Sequence, residues 1–333
     1  MPSHRLHSNA RITAIGTYVP ERILNNAELE SMVDTNDEWI VQRTGIRERH
    51  ISAKGEYTSD LCFGAIRNLQ ERYSADLTDV DHIIVATSTP DTVFPSMAAR
   101  VQGEFGIASA GAVDVQAACA GFVSGLQLAG GLLLSGSCRK ILVIGAETLS
   151  KITDYSDRST CILFGDGAGA VLVEAGDEGT FLAARSATDG AIGHHLYRSS
   201  LSDHIAGFPI AAHGNIVQNG REVYKWAVTR VSEGITELLQ TSKTQPEELD
   251  WLIPHSANLR ILESISERTG IGMDHILESV VYYGNTSAAS IPLALDNGIR
   301  DGRIQPGQLI LLYGFGGGLT QSGLLLRWTA PAR

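Results

Sequence analysis

Among the four cysteines of the 333-residue chain, Cys119 stands where its chemistry would change. In AVDVQAACAGFVSGLQLAGGLLLSG a short apolar strand turns through small residues into a long apolar helix, and Cys119 falls at the helix start. Unpaired backbone N–H groups and the positive end of the helix dipole favour a thiolate there, drawing the pKa down from about 8.5. Ala117, Ala118, Ala120 and Gly121 are small, so a substrate carbonyl could approach closely and accept a hydrogen bond from the Cys119 N–H. A sulfur nucleophile beside an oxyanion donor is the equipment of acyl transfer. The competing reading is a buried, inert cysteine, and this segment alone does not separate the two. Cys62 in a helical stretch, Cys138 after a helix end and Cys161 entering a strand read as structural.

Two further positions carry polar side chains where a site could be built. The strand LDWLI ends at Pro254 and is followed by His255-Ser256-Ala257-Asn258, which puts a histidine at the carboxyl end of a strand, where open α/β sheets place their sites. Asn285 lies in YYGNTSAAS, a Gly-Asn turn entering a small-residue helix. The plainer alternatives are a surface histidine on a connecting loop and simple left-handed turn chemistry. After the strand LILLY, Gly314-Phe315-Gly316-Gly317-Gly318 lets backbone amides approach a ligand closely. No Lys-Ser or Lys-Thr follows it, and Gly165-Asp166-Gly167-Ala168-Gly169 sits between two strands, so neither ATP nor a dinucleotide is expected.

The elements that must hold these residues alternate between strand and helix. Strands are predicted at 12–16, 82–87, 112–115 and 141–145, and helices at 58–73 and 222–240, which is α/β architecture. The second half repeats the first at one offset: Asp81-His-Ile-Ile-Val aligns with Asp250-Trp-Leu-Ile-Pro (250 − 81 = 169), and Ile141-Leu-Val-Ile-Gly with Ile310-Leu-Leu-Tyr-Gly (310 − 141 = 169). The same shift lays Cys119 over Ala288 and His255 over Ala86, so the halves agree in framework and differ where a reactive side chain has been placed. An internal duplication is expected, with halves at 11–177 and 178–333 and a boundary in EAGDEGT. Residues 1–10 read as a flexible lead-in without the apolar run of a signal peptide.

Composition narrows the partners. A net charge of −11 with scattered basic residues argues against nucleic acid, which needs a concentrated Lys/Arg face. The cysteines show no CxxC pairing, so neither a disulfide framework nor a metal site is expected, and a reducing cytoplasm fits best. No apolar run approaches the ~18 residues of a membrane span. The histidines at 194, 195, 204 and 213 lie in a loop-rich stretch, 188–219, without a ligand pattern.

Across essentially its whole length the chain resembles the β-ketoacyl-acyl carrier protein synthase III enzymes. The resemblance rests on Asp34-Thr35-Asn36-Asp37-Glu38-Trp39-Ile40 running into Arg43-Thr44-Gly45-Ile46-Arg47-Glu48-Arg49, on Ala118-Cys119-Ala120-Gly121, Asp157-Arg158, FGDGAGA, His255 to Asn258, GNTSAAS and FGGG. It implies a thiolase-like fold of two duplicated α/β halves packed as five layers, αβαβα. It implies that Cys119 is acylated by a short acyl-CoA, acetyl or branched, while His255 and Asn285 bind the thioester carbonyl of malonyl-acyl carrier protein and stabilise the enolate formed on decarboxylation. The amides of Cys119 and Gly317 would form the oxyanion hole. Trp39 and Arg158 would sandwich the CoA adenine, with Arg43 near the phosphates and Asn258 also on CoA. Phe94 and Phe315 would line the acyl pocket, with starter choice depending on volume near these two, Leu149 and Phe208.

The resemblance further implies a homodimer in which the Phe94 loop crosses to the partner, and no cofactor beyond the acyl-CoA substrate. Lys225, Arg260 and Arg268, with Arg221, would supply a local positive field for an acidic carrier protein, diluted by Glu222 and Glu267. Ser256 departs from the common His-Gln-Ala-Asn pattern, so altered packing beside the histidine is expected with the chemistry retained. A biosynthetic thiolase would carry a second cysteine in the FGGG region, and none is there. An acyltransferase acting on an oxygen or nitrogen acceptor, or a silent CoA-binding homologue, is the alternative.

Overall fold

Lys140–Thr148 is buried at all nine residues, because helices cover both faces of the sheet it runs through. The computed structural model describes residues 4–331 and 333. Its first half comprises β1 (Ala10–Tyr18), α1 (Asp37–Thr44), α2 (Thr58–Tyr73), β2 (His82–Ala86), β3 (Gly111–Val115), α3 (Gly121–Leu134), β4 (Lys140–Thr148) and β5 (Asp166–Ala175). The second comprises β6 (Phe181–Thr188), α4 (Ser232–Ser242), β7 (Trp251–Pro254), α5 (Leu259–Thr269), α6 (Ser290–Arg300), β8 (Leu309–Gly316) and β9 (Thr320–Arg327). The helix expected at 222–240 is longer and interrupted: Gly220–Trp226, a π-turn over Ala227–Val231, then α4.

One sheet runs β1-β5-β4-β2-β3, and the other runs from the short strand His4–Arg5 through β6, β9 and β8 to β7. Helices α3 and α6 lie between the sheets, α2 covers the outer face of the first, and α4 with α5 that of the second, giving five layers. Phe122, Leu126 and Leu133 of α3 are buried with Val143, Ile253 and Leu312 in one core that reaches both sheets. Each such fully buried side chain is worth about 1.5–3 kcal/mol.

The repeat seen in the sequence is a repeat of pairing. His82 stands opposite Ile141 in the parallel β2–β4 pair, and Trp251 opposite Ile310 in β7–β8, the same register shifted by 169 residues. Even the rung before each strand is copied: the Asp81 carboxylate accepts from the Lys140 N–H at 3.0 Å, and that of Asp250 from the Leu309 N–H at 2.7 Å. The offset also relates two backbone irregularities. Ala118 (φ 44°) and Ser287 (φ 48°) both adopt the left-handed conformation, each in a 3₁₀ turn that leads into α3 or α6.

The halves interlock at these turns. A Cβ on Gly145 of β4 would meet the Ala288 carbonyl oxygen at 2.4 Å, and one on Gly314 of β8 would meet the Ala120 Cα at 2.7 Å and the Cys119 carbonyl oxygen at 3.1 Å. Each central strand therefore carries glycine where the other half's helix start presses against it. The lead-in differs from expectation over part of its length. His4 and Arg5 pair with Ala184 and Ala183, the Leu6 N–H donates to Leu182, and Ala10 is fully buried at the start of β1. Residues 1–3 lie outside the described residues.

Candidate active site

Cys119, His255 and Asn285, from three separate elements, line one cavity of about 390 Å³ together with Ser287, Phe315 and Gly317. Cys119 sits in the 3₁₀ turn Ala118–Ala120, which the left-handed Ala118 bends into α3. Its sulfur has little room behind it, since a Cβ on Gly316 would lie 2.9 Å from Sγ. Burial pushes the Cys119 thiol up to about 12, against a hydrogen bond from Ser287 that favours the thiolate. Desolvation and the helix start therefore act in opposite directions on this sulfur. Cys62, Cys138 and Cys161 are buried and unpaired, as structural cysteines are.

His255 follows β7 directly, its N–H bonded to the Tyr313 carbonyl at 2.8 Å, and the ring is 1% exposed. Its Nδ1 lies 2.7 Å from Ser290 Oγ, and the ring stands edge-on to Phe315 with centroids 5.2 Å apart. Burial lowers the His255 pKa to about 3, so the imidazole is neutral at physiological pH and Nε2 acts as a hydrogen-bonding group rather than a cation. Ser256, beside the histidine, accepts from the Ser279 N–H at 3.0 Å.

Asn285 is fixed from both sides. Its N–H donates to Leu163 at 2.8 Å, its carbonyl accepts from the Gly165 N–H at 3.0 Å, and its Oδ1 accepts from the Ser287 N–H at 2.9 Å. With Oδ1 engaged, the side-chain NH2 is the group left to donate into the cavity. A neutral imidazole and an amide NH2 beside a sulfur nucleophile suit a developing oxyanion. Gly317 lines the same cavity beside Ala118.

At the mouth, Arg158 lies over the Trp39 ring at 4.8 Å and Arg43 at 5.8 Å, with Arg158 also donating to the Asp34 carbonyl at 2.9 Å. The two residues expected to flank a purine are thus in contact with each other. Asn258 lines the cavity but is committed as a helix cap, accepting from the Arg260 N–H at 2.8 Å and donating to the Arg43 carbonyl at 3.3 Å. Of the pocket residues, Phe315 and Leu149 line the cavity; Phe94 and Phe208 do not. Phe94 is 85% exposed beside the equally bare Val93, and Phe208 stacks on His194 with centroids 4.0 Å apart. Lys225, Arg221 and Arg268 are exposed, whereas Arg260 is paired with Glu263.

Sequence reading missed Ser287, Ser290 and Glu147. The two serines lie within GNTSAAS, where their small size masks their contacts. Glu147 ends the apolar run ILVIGAET, and a carboxylate at the end of a wholly buried strand is itself a signal.

A cysteine, a histidine and an asparagine around one cavity, on two interlocked α/β halves, define an acyl-transferring enzyme of the thiolase-like class. Comparison with known proteins narrows this. Residues 113–190 match the model for 3-Oxoacyl-[acyl-carrier-protein (ACP)] synthase III, and residues 239–328 that for its C-terminal part. The chain is 56% identical over 325 residues to Beta-ketoacyl-[acyl-carrier-protein] synthase III 2 of Halalkalibacterium halodurans, covering 97% of this chain and 98% of that protein. It is 55% identical over 322 residues to the protein of the same name from Bacillus subtilis, covering 96% and 99%. The crystal structure of the Thermus thermophilus synthase III superposes with a TM-score of 0.91 at 42% identity, covering 96% of this chain and 99% of that one. The Aquifex aeolicus structure gives 0.89 at 40%, covering 96% and 100%. The chain belongs to the β-ketoacyl-[acyl-carrier-protein] synthase III family.

Proposed function

We propose that this enzyme joins a short acyl group from acyl-CoA to malonyl-acyl carrier protein with loss of CO2, giving 3-oxoacyl-acyl carrier protein and opening fatty-acid synthesis. The observation that carries the reading is the convergence of Cys119, neutral His255 and the free amide of Asn285 on one cavity. In the first stage the Cys119 sulfur attacks the thioester carbon and the CoA thiolate departs. The amides of Cys119 and Gly317 hold the oxyanion. In the second, malonyl thioester loses CO2, His255 and Asn285 hydrogen-bond the enolate oxygen, and the carbanion attacks the acyl-cysteine, returning the sulfur. Atoms and electrons balance without a further cofactor.

Trp39 and Arg158 opening around the adenine, with Arg43 toward the phosphates and Asn258 at the pocket wall, form the CoA site. Lys225 and Arg268, with Arg260 behind its Glu263 partner, form the carrier-protein patch. The bare Val93-Phe94 tip fits a homodimer in which Phe94 reaches a second copy's acyl pocket, beside Phe315. The duplicate units run 11–177 and 178–333, and the protein works in the cytoplasm. Among the described residues, no helix is long and apolar enough to cross a membrane.

The test is mass spectrometry of the intact protein after incubation with acetyl-, isobutyryl-, isovaleryl- and longer acyl-CoAs, beside Cys119→Ala. One adduct confined to Cys119 is expected and its mass names the starter. An absence of adduct with every acyl-CoA overturns the reading.

A further inference from the structure

The run from Arg43 to Arg49 begins at the mouth of the cavity and ends in the interior. Arg49, on the short strand Glu48–Ile51, is fully buried, and among the described residues no carboxylate forms an ion pair with it. A guanidinium buried without a counter-ion is costly to keep. Burial lowers its pKa to about 10, so it still carries its charge at physiological pH. Its partners are neutral: Nε donates to the Ile162 carbonyl at 3.0 Å, Nη2 donates to the same oxygen, and Nη1 donates to Asn26 Oδ1 at 2.7 Å.

These contacts lead to Asn285. Ile162 is followed by Leu163–Gly165, the segment that grips Asn285 through the Leu163 carbonyl and the Gly165 N–H. Ile162, Leu163 and Phe164 line the cavity, whereas Arg49 does not, so the guanidinium holds that wall from behind. The aliphatic stem packs against the other side of the same turn. Gly284, immediately before Asn285, is left-handed (φ 68°), and a Cβ there would lie 2.8 Å from Arg49 Cγ. One on Gly165 would lie 3.4 Å from Arg49 Cβ. Asn26 keeps the guanidinium aimed, for its own Nδ2 is held by Asp37 Oδ1 at 2.7 Å and the Ile46 carbonyl at 2.9 Å.

We propose that Arg49 is a positioning residue for the condensation step, bracing Ile162–Gly165 and Gly284 so that the Asn285 amide stands where the enolate oxygen forms. The nucleophile rides on a different turn, Ala118–Ala120, so acylation does not pass through this brace. Charge alone does not explain the residue. The guanidinium fork reaches one carbonyl twice and an amide oxygen at once, which a single ammonium on a flexible stem does not reproduce. The proposal rests on Asn285 being an enolate donor and deepens that reading.

The experiment follows the two half-reactions separately at saturating substrate in the wild type, Arg49→Lys, Asn285→Ala and the double variant. Acylation of Cys119 is read by intact mass, and decarboxylation of malonyl thioester by release of labelled CO2. Arg49→Lys is expected to keep acylation within about twofold while decarboxylation falls roughly tenfold. In the Asn285→Ala background the same substitution should change decarboxylation by less than about twofold, because the group it positions is gone. Asn26→Ala removes the acceptor of Nη1 and leaves Arg49 in place; it should slow decarboxylation about threefold with acylation retained, and it decides alone if Arg49→Lys does not fold. Equal slowing of both half-reactions, full multiplication of the Arg49 and Asn285 effects, or unchanged decarboxylation overturns the proposal. Should Asn285→Ala itself leave decarboxylation intact, the functional reading fails instead.

Discussion

Ser290 Oγ stands 2.7 Å from His255 Nδ1, and the two residues occupy the positions that Gly121 and Ala86 hold in the other half, 169 residues earlier in each case. There the contact is apolar and tight, for a Cβ on Gly121 would lie 2.9 Å from the Ala86 Cβ. One contact between a strand end and a helix start has thus been filled by methyl and hydrogen in one half and by imidazole and hydroxyl in the other. Ser290 also accepts from the Ser256 N–H at 3.3 Å and its Oγ lies 2.8 Å from the Ser287 carbonyl oxygen; with its one hydrogen given to Nδ1, the neutral ring carries its proton on Nε2, facing the cavity as a donor.

Ser290→Ala leaves the His255 Nδ1 without its side-chain partner in a buried site. A loss of about 1–3 kcal/mol in stability is expected. Because the ring then loses its orientation, kcat for condensation should fall by roughly tenfold or more, equivalent to about 1.4 kcal/mol of transition-state stabilisation. Thermal unfolding and steady-state kinetics on the purified variant read the two effects separately; unchanged kcat would show that Phe315 packing alone orients the ring.

Removing either enolate donor should separate the half-reactions. His255→Ala and Asn285→Ala are each expected to retain acylation of Cys119 while decarboxylation of malonyl thioester drops on the order of 100-fold or more. Release of labelled CO2 beside the intact-mass assay makes the distinction, and equal loss of both steps would refute the division of labour.

Gly316→Ala places a methyl 2.8 Å from the Cys119 Cβ and 2.9 Å from its sulfur. The neighbour is held by backbone on both sides, so the sulfur must move. Acyl-adduct formation should fall to the level of Cys119→Ala while circular dichroism remains that of the folded chain.

Trp39→Ala should raise KM for acyl-CoA by about tenfold with little change in kcat, since stacking on a base is worth ~1–3 kcal/mol. Arg158→Ala frees the Trp39 face that the guanidinium covers, so its KM should change by less. A kcat loss at Trp39 would place the indole nearer the chemistry than the mouth.

Stability should depend on pH through Glu147. Its carboxyl is raised in the folded protein from the ordinary 4.5 to about 7, so the stabilisation it contributes is complete below pH 4.5 and is lost as pH rises through 7. The loss amounts to on the order of 3 kcal/mol. Glu147→Gln should abolish this slope between pH 4.5 and 7, measured as urea midpoints across that range. A variant as pH-sensitive as the wild type would assign the slope to another group.

Much of the frame was legible because it rests on periodicity and on a repeat. The 169-residue offset pointed to the duplication, and the β2–β4 and β7–β8 pairs follow it rung for rung, since register in a buried sheet is fixed by which residues face inward. Cys119, His255 and Asn285 were legible as residues of the right type at strand ends and helix starts. What was not legible depends on direction or on meetings across the chain. Nothing local says that Phe94 points outward, that Phe208 stacks on His194, or that Arg158 lies on Trp39 itself. Glu147 meets Ser287 across 140 residues, and the Cys119 thiol pKa is set by burial that a segment does not display.

Gly145 and Gly314 give the interlocked helix starts a mechanical meaning. Each sheet lends the other the hollow in which its working turn rests, so the nucleophile rides on one unit while its seat, and the donors it works with, belong to the second. Any shear along that seam changes the distance between sulfur and enolate directly, and neither unit can drift in sequence at its glycine without displacing its neighbour's chemistry. The duplicated chain is in this sense a vice whose two jaws had to be machined together.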